Sequence, residues 1–287
     1  IIYEVIDGPA VLHDDMVLGP VDLIRSGQFV LADPDEEVEG PVMAAALRSE
    51  KAWPNGRVPY KIDPMFSPGS PMFTKIMGAI NEWNTKTIVK LVPAVGNEYH
   101  VHIGFGSGCL SNVGYLNKEA NQNIWLSFNC SQGNIVHEIG HTVGFHHEQA
   151  RVDREDYITI EEDNMRPNAD IYFQTYIERE RDGIDFGDYD INSVMQYSSY
   201  AFSDNGKPTI VREGCDANTL FVPPWCLIAN QPRLSQKDQV AATRMVVGNS
   251  PAWVKFENDY SGRCLRPQGG SRTPGATVTT DTCTNSY

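Results

Sequence analysis

The chain predicts an α+β fold, and three kinds of local signal carry that prediction. Residues 58–62, 89–95, 100–105 and 124–128 are rich in β-branched and aromatic residues and read as short strands. Ser70 followed by Pro71 offers an N-cap and a first-turn proline, and Phe73, Ile76, Ile80 and Trp83 then recur at helical spacing as a core-facing stripe. A second helix is expected around His137–His141. A third opens at Ser235-Gln236-Lys237-Asp238, whose Ser and Asp are placed for a capping box, and runs to about Val247. Between the last two helices, residues 153–181 are highly charged and read as mixed helix and loop.

Composition narrows the class. With 287 residues, 41% of them hydrophobic, the chain can bury one large core or two smaller ones. No apolar run approaches the twenty or so residues of a membrane-spanning helix. The net charge of -14, with no basic stripe, argues against nucleic acid as a partner. The charge is uneven: residues 1–43 hold ten acidic residues and a single Arg. Their short apolar runs, at 17–18, 21–24 and 29–31, are suited to docking on another surface. The first residue is Ile1 and not Met, so the chain is expected to be a piece of a longer precursor. Six cysteines form an even set whose spacing favours Cys109–Cys130, Cys215–Cys226 and Cys264–Cys283. Because no C-x-x-C pair supports a zinc–thiolate cluster, disulfides and an extracellular location are the better reading.

The most specific segment runs His137-Glu138-Ile139-Gly140-His141-Thr142-Val143-Gly144-Phe145-His146-His147-Glu148. On a helix His137 and His141 lie one turn apart on the same face, so both imidazoles reach one metal ion. Gly144 can end the helix in a left-handed conformation and swing His147 back as third ligand. Three neutral imidazoles leave a fourth position of one Zn²⁺ open to water, the arrangement of a catalytic site. That water ionises near pH ~7, and Glu138 can take its proton as general base. His146 adjoins His147, but the spacing selects His147. His100 and His102 alternate along a strand without a third partner and read as structural.

The extended H-E-x-x-H-x-x-G-x-x-H pattern is the metzincin form of the zinc-protease motif. It continues Glu148-Gln149-Ala150-Arg151-Val152-Asp153-Arg154, and Ser193-Val194-Met195-Gln196-Tyr197 follows Asp188-Tyr189-Asp190. Together these resemble the astacin family of zinc endopeptidases. Ala44-Ala45-Ala46-Leu47, Trp53 and Val58-Pro59-Tyr60 resemble the start of a mature astacin, so the likeness covers about Ala44 to Gly248. It implies a metzincin-type domain over 44–250, with a twisted mixed sheet, a long zinc-binding helix and an irregular C-terminal subdomain. By the same resemblance Met195 floors the zinc site, and Tyr197 is a switch tyrosine that hydrogen-bonds the transition state. Position 196 departs from the family: His is usual there, and Gln stands in this chain. Cys109 and Cys130 sit where the family carries one of its disulfides, while the disulfide that ties the domain ends has no counterpart.

The resemblance further implies that residues 1–43 are an inhibitory prosegment removed near Met43–Ala44. The freed ammonium would then reach Glu148. A prosegment Asp would block the zinc; among Asp14, Asp15, Asp22, Asp33 and Asp35, the family-like distance to Ala44 selects Asp33, although Ala32 replaces the usual Gly before it. Protein or peptide substrates are implied. Residues 251–287 change character. Ser261-Gly262-Arg263-Cys264-Leu265 and Gly275-Ala276-Thr277-Val278 resemble the first subrepeat of a ricin-type lectin, which would admit a glycan. One such unit is a truncated start, and a disulfide-pinned tail is the competing reading. The alternative function is a carbohydrate-binding protein on an inactive protease scaffold, but retention of Glu138 beside all three ligands favours the enzyme.

Overall fold

The computed structural model describes residues 51–116, 121–179 and 183–246, together with the backbone of Val247 and of the strands at 4–5, 9–12, 16–20, 44–46, 263–267 and 278–282. Strands β5 (Arg57–Ile62), β6 (Lys90–Pro93), β7 (Val101–Phe105) and β9 (Gln122–Leu126) are parallel, in the spatial order β9-β7-β5-β6. Parallel neighbours need a crossover, and helix α1 (Pro71–Lys86) supplies it between β5 and β6. Strand β8 (Cys109–Asn112) runs antiparallel to β9, with Leu110 opposite Trp125. Side chains alternate between the two faces of a strand, so Val101 and Ile103 are buried while His102 between them is half-buried. Helix α2 (Gln132–Val143) follows β9. Ile76, Ile80 and Trp83 of α1, Ile103, Ile124 and Leu126 of the sheet, and Ile135, Val136 and Ile139 of α2 share one apolar core.

Three more strands extend the sheet beyond β8. Strand β3 (Met16–Pro20) lies parallel to it, Met16 opposite Ser111 and Val17 opposite Asn112. Strands β2 (Pro9–Leu12) and β1 (Glu4–Val5) then complete a meander, giving the order β1-β2-β3-β8-β9-β7-β5-β6. Strand β4 (Ala44–Ala46) pairs instead with β11 (Ile184–Phe186), Ala44 opposite Phe186. A second core holds Ile158 of β10 (Ile158–Ile160), Ile210 of β12 (Ile210–Arg212), Tyr172, Phe173, Tyr189 and Ile228. Helix α3 (Gln236–Val247) returns Ala241, Ala242 and Met245 to the first core. Residues 1–246 form one compact unit and 247–287 another, whose described part is an antiparallel pair of β13 (Arg263–Pro267) and β14 (Val278–Thr282).

Several expectations shift in detail. The strand expected at 124–128 ends at Leu126, and Phe128 lies beyond it in water. Phe73 is only half-buried; Met72 and Ala79 take its place on the core side of α1. Within the segment 153–181, the described residues 153–179 form short 3-10 turns and β10. Strand β8 carries Ser and Asn, which lack strand propensity, and only its neighbour β9 makes it a strand. Disulfides join Cys109 to Cys130 and Cys215 to Cys226, with Cα atoms 6.0 and 5.9 Å apart. The third expected pairing, Cys264–Cys283, lies outside the described residues, as does Asp33.

Helix α2 meets the loop at Met195 with no room to spare. A Cβ placed on Gly140 would lie 2.5 Å from the Met195 sulfur, and Met195 is fully buried. Gly140→Ala is therefore expected to destabilise the protein by about 1–3 kcal/mol, read as a lowered Tm, because the sulfur has nowhere to retreat.

Candidate metal centre

Both ends of α2 are held from outside. At its start Ser131 Oγ accepts from Asn134 N at 3.1 Å, and Asn134 Oδ1 accepts from Ser131 N at 2.9 Å, a reciprocal capping box. The Cys109–Cys130 disulfide pins the preceding residue to the start of β8. The last turn of any helix leaves carbonyls without intrahelical donors. In α2, Gly114 N donates to His141 O at 2.8 Å, and Trp53 Nε1 donates to Thr142 O at 2.8 Å. Gly144 ends the helix at φ 126°, a conformation that favours glycine, and its N–H returns to Gly140 and His141 carbonyls. The chain is thereby free to reverse and carry His147 back to the helix.

The reversal brings three imidazoles together. His137 Nε2 lies 3.1 Å from His141 Nε2 and 3.2 Å from His147 Nε2, and all three fall within 4.8 Å of one another. Nitrogens about 2 Å from a tetrahedral zinc stand about 3.3 Å apart, so the spacing fits that ion. The far nitrogens of two rings face backbone: His137 Nδ1 pairs with Val194 O and His141 Nδ1 with Phe145 O, each at 2.7 Å. Those carbonyls require protonated Nδ1, which leaves the Nε2 lone pair for a metal. Among the described residues this is the one group of three or more such side chains able to hold a metal ion. His146, buried and stacked on Tyr176 with ring centres 5.9 Å apart, is not in it. His100 bonds Glu98 O, and His102 lies 3.7 Å from Asp63.

The group opens on a cleft of about 650 Å³. Ser107, Gly108, Cys109 and Leu110 line it together with His137 and Glu138 of α2, and Gln196, Tyr197, Phe202 and residues 230–232 complete the lining. Tyr197 packs its ring 4.4 Å from that of His147. Met195 lies beneath α2, and Glu148 N donates to its carbonyl at 3.0 Å, which ties the third histidine to this loop. Gln196, at the position that departs from the family pattern, accepts from the Tyr189 phenol and donates to Tyr197 O.

Two buried carboxylates stand behind the centre. Glu148 Oε1 accepts from Asp190 N at 2.8 Å, while its Oε2 has no hydrogen-bond partner among the described residues. Burial pushes its carboxyl up to about 8, and the Arg151 guanidinium 3.4 Å away only partly offsets this. Asp238 was expected only as a helix cap, and it does cap α3: Ser235 N donates to Oδ2 and Ser235 Oγ accepts from Asp238 N. It also accepts from Ser193 Oγ at 2.6 Å and Val194 N at 2.9 Å. Asp238 thus clamps the backbone whose Val194 carbonyl orients His137. Its capping-box spacing was the only sign of it in the sequence. His146→Ala is expected to leave zinc content near one per chain, read by atomic absorption. His147→Ala should cost more than the roughly 10–100-fold in affinity seen when an outer partner is lost.

Comparison with known proteins agrees with this geometry. The family model for astacin, a peptidase family, matches residues 45–240. The zinc metalloproteinase nas-4 of Caenorhabditis elegans is 38% identical over 206 residues, covering 70% of this chain and 63% of that protein. Zinc metalloproteinase nas-14 of the same organism is 35% identical, covering 66% of this chain and 38% of its own length. The chain therefore spans well under two thirds of some relatives. Among solved structures, high choriolytic enzyme 1, a hatching-enzyme zinc protease from the medaka Oryzias latipes, superposes with a TM-score of 0.57 at 26% identity, covering 70% of this chain and 98% of that one. The family model over residues 45–240, a fold shared with a solved zinc protease and a three-histidine group spaced for zinc place this chain in the astacin family.

Proposed function

We propose that the chain is the precursor of a secreted zinc endopeptidase that hydrolyses peptide bonds in proteins. The observation that carries this reading is the meeting of three Nε2 atoms, with backbone holding two of the rings from behind, on a cleft that Glu138 also lines. A zinc ion held by His137, His141 and His147 would supply Lewis acidity for the scissile carbonyl and lower the pKa of its bound water. Glu138 takes a proton from the attacking water and delivers it to the departing amine, so that one water is consumed and an acid and an amine result. Tyr197 donates its phenolic hydrogen to the oxygen that becomes negative as the carbonyl carbon turns tetrahedral. Two disulfides favour an oxidising compartment, hence secretion. Nothing described in the tail, a two-stranded hairpin, supports the glycan-binding alternative.

The zymogen reading has four supports. The charge step falls at Met43–Ala44, and the family match begins at residue 45. The residues at 44–46 already lie beside the turn at 148–150, where Glu148 keeps one oxygen without a described partner. A buried ammonium at Ala44 would favour the ionised form of that carboxyl, which burial alone disfavours. Strand β3 meanwhile takes an edge of β8, the strand whose Cys109 and Leu110 line the cleft.

Glu138→Gln is expected to keep zinc and fold while losing casein hydrolysis by roughly 10²–10⁴-fold. Tyr197→Phe should lower kcat with little change in KM, because its contact strengthens only in the transition state. Retained activity in the first variant would remove Glu138 as general base, and an effect confined to KM in the second would remove Tyr197 as oxyanion donor. Cleavage at Met43–Ala44 should raise activity, and Asp33→Ala in the uncut chain should raise basal proteolysis. An uncut chain already as active as one beginning at Ala44 would end the zymogen reading.

A further inference from the structure

Three parallel strands end in apolar side chains that stand in water. Phe105 closes β7 and is 48% exposed, Phe128 follows β9 and is 59% exposed, and Met65 follows β5 and is 57% exposed. These are not scattered singles, which would need no explanation. The Phe105 and Phe128 rings lie 5.2 Å apart, and Phe66, fully buried, meets Phe128 edge-on at 6.1 Å as a floor. Edge-on and tilted aromatic contacts of this kind hold the rings in place.

The patch is continuous with the cleft by two routes. Phe105 lies two residues before Ser107, and Phe128 lies three before Ser131; both serines line the cleft. Two residues of extended chain span only about 7 Å. The two routes are stapled to each other: Ser127 N donates to Gly108 O at 2.8 Å, and the Cys109–Cys130 disulfide follows immediately. Patch and cleft are thus joined through a backbone hydrogen bond and a disulfide, and the two rings pack on each other and on buried Phe66.

We propose that Phe105 and Phe128 form a distal subsite for protein substrates. A polypeptide lying in the cleft continues past Ser107 and Ser131 and lays an aromatic or aliphatic side chain against the two rings. This rests on the endopeptidase reading of the cleft. It makes the enzyme select substrates partly by apolar residues remote from the cut bond, and it favours long or unfolded chains over short peptides.

The test compares a short peptide confined to the cleft with the same peptide extended at either end by an arm carrying leucine. The processed enzyme and its Phe105→Ser/Phe128→Ser variant are assayed on each, with Tm and zinc content as controls on folding. We expect the variant to lose roughly tenfold in kcat/KM on one extended peptide and to match the parent on the short one. Replacing the leucine by serine should cost the parent the same factor and the variant nothing. Equal loss on short and long peptides, or no loss on either, overturns the subsite. So does a parent that sediments as a dimer while the variant is a monomer, which would assign the patch to self-association. Leucine-dependent binding to the chelator-treated enzyme, which cannot turn the peptide over, separates the two readings. Binding without hydrolysis by the untreated parent sinks the reaction and keeps the subsite; absence of both sinks both.

Discussion

Three imidazole lone pairs aimed at one point repel one another, and much of this architecture serves to hold them there. The rings cannot relax apart because His137 and His141 are anchored from behind by the carbonyls of Val194 and Phe145. Phe145 belongs to the turn that ends α2, whereas Val194 lies 57 positions beyond His137 in a loop that only the fold brings to the helix. The last turn of α2 is held in turn by Gly114, Trp53 and Ser111, the Ser111 hydroxyl lying 2.8 Å from that of Thr142. Each of these satisfies a polar group that burial would otherwise leave unpaired, at a cost of about 1–3 kcal/mol. The need to place the lone pairs and the need to satisfy the helix end are met by the same contacts.

The cleft lies where two cores meet. The first, between sheet and helices, is built on regular elements and mixes aliphatic side chains with Trp53 and Trp83; the second, around Tyr172, Phe173, Tyr189 and Ile210, has only the short pair β10 and β12 as regular structure. Polar clamps replace regular hydrogen-bond ladders there. Asp238 binds the loop at 193–195 to α3, and Asn164 donates to Pro208 O at 2.8 Å. Trp83 links the helices of the first core by donating to Val136 O at 3.0 Å. A loop built this way can still hold Tyr197 against His147, because its backbone is fixed at several points.

At Met16–Pro20 the N-terminal segment meets the catalytic unit as a strand. Its β3 adds to β8 through backbone pairing, which asks little of side-chain identity. That explains why an acidic stretch with only short apolar runs can dock on a sheet edge. Strand β4 pairs separately with β11, so the residues on either side of 21–43 engage different sheets.

The chemistry of the centre is legible in the linear chain, because metal ligation by a helix depends on local spacing. His137, His141 and the turn at Gly144 are set by helical periodicity and by glycine's freedom at positive φ, and both are written within a dozen residues. The helix starts at Ser70 and Ser235 were legible for the same reason, as caps are local. Strand β8 was not, since its residues become a strand only when β9 supplies the partner edge. Nor were the pairing of β3 with β8, the reach of Asp238 to Ser193 across 45 positions, or the exposed pair of Phe105 and Phe128. Those depend on which distant segments the fold brings into contact. Folding alone settles such meetings, because a carboxylate or a ring carries no mark in the chain of the neighbour it will meet.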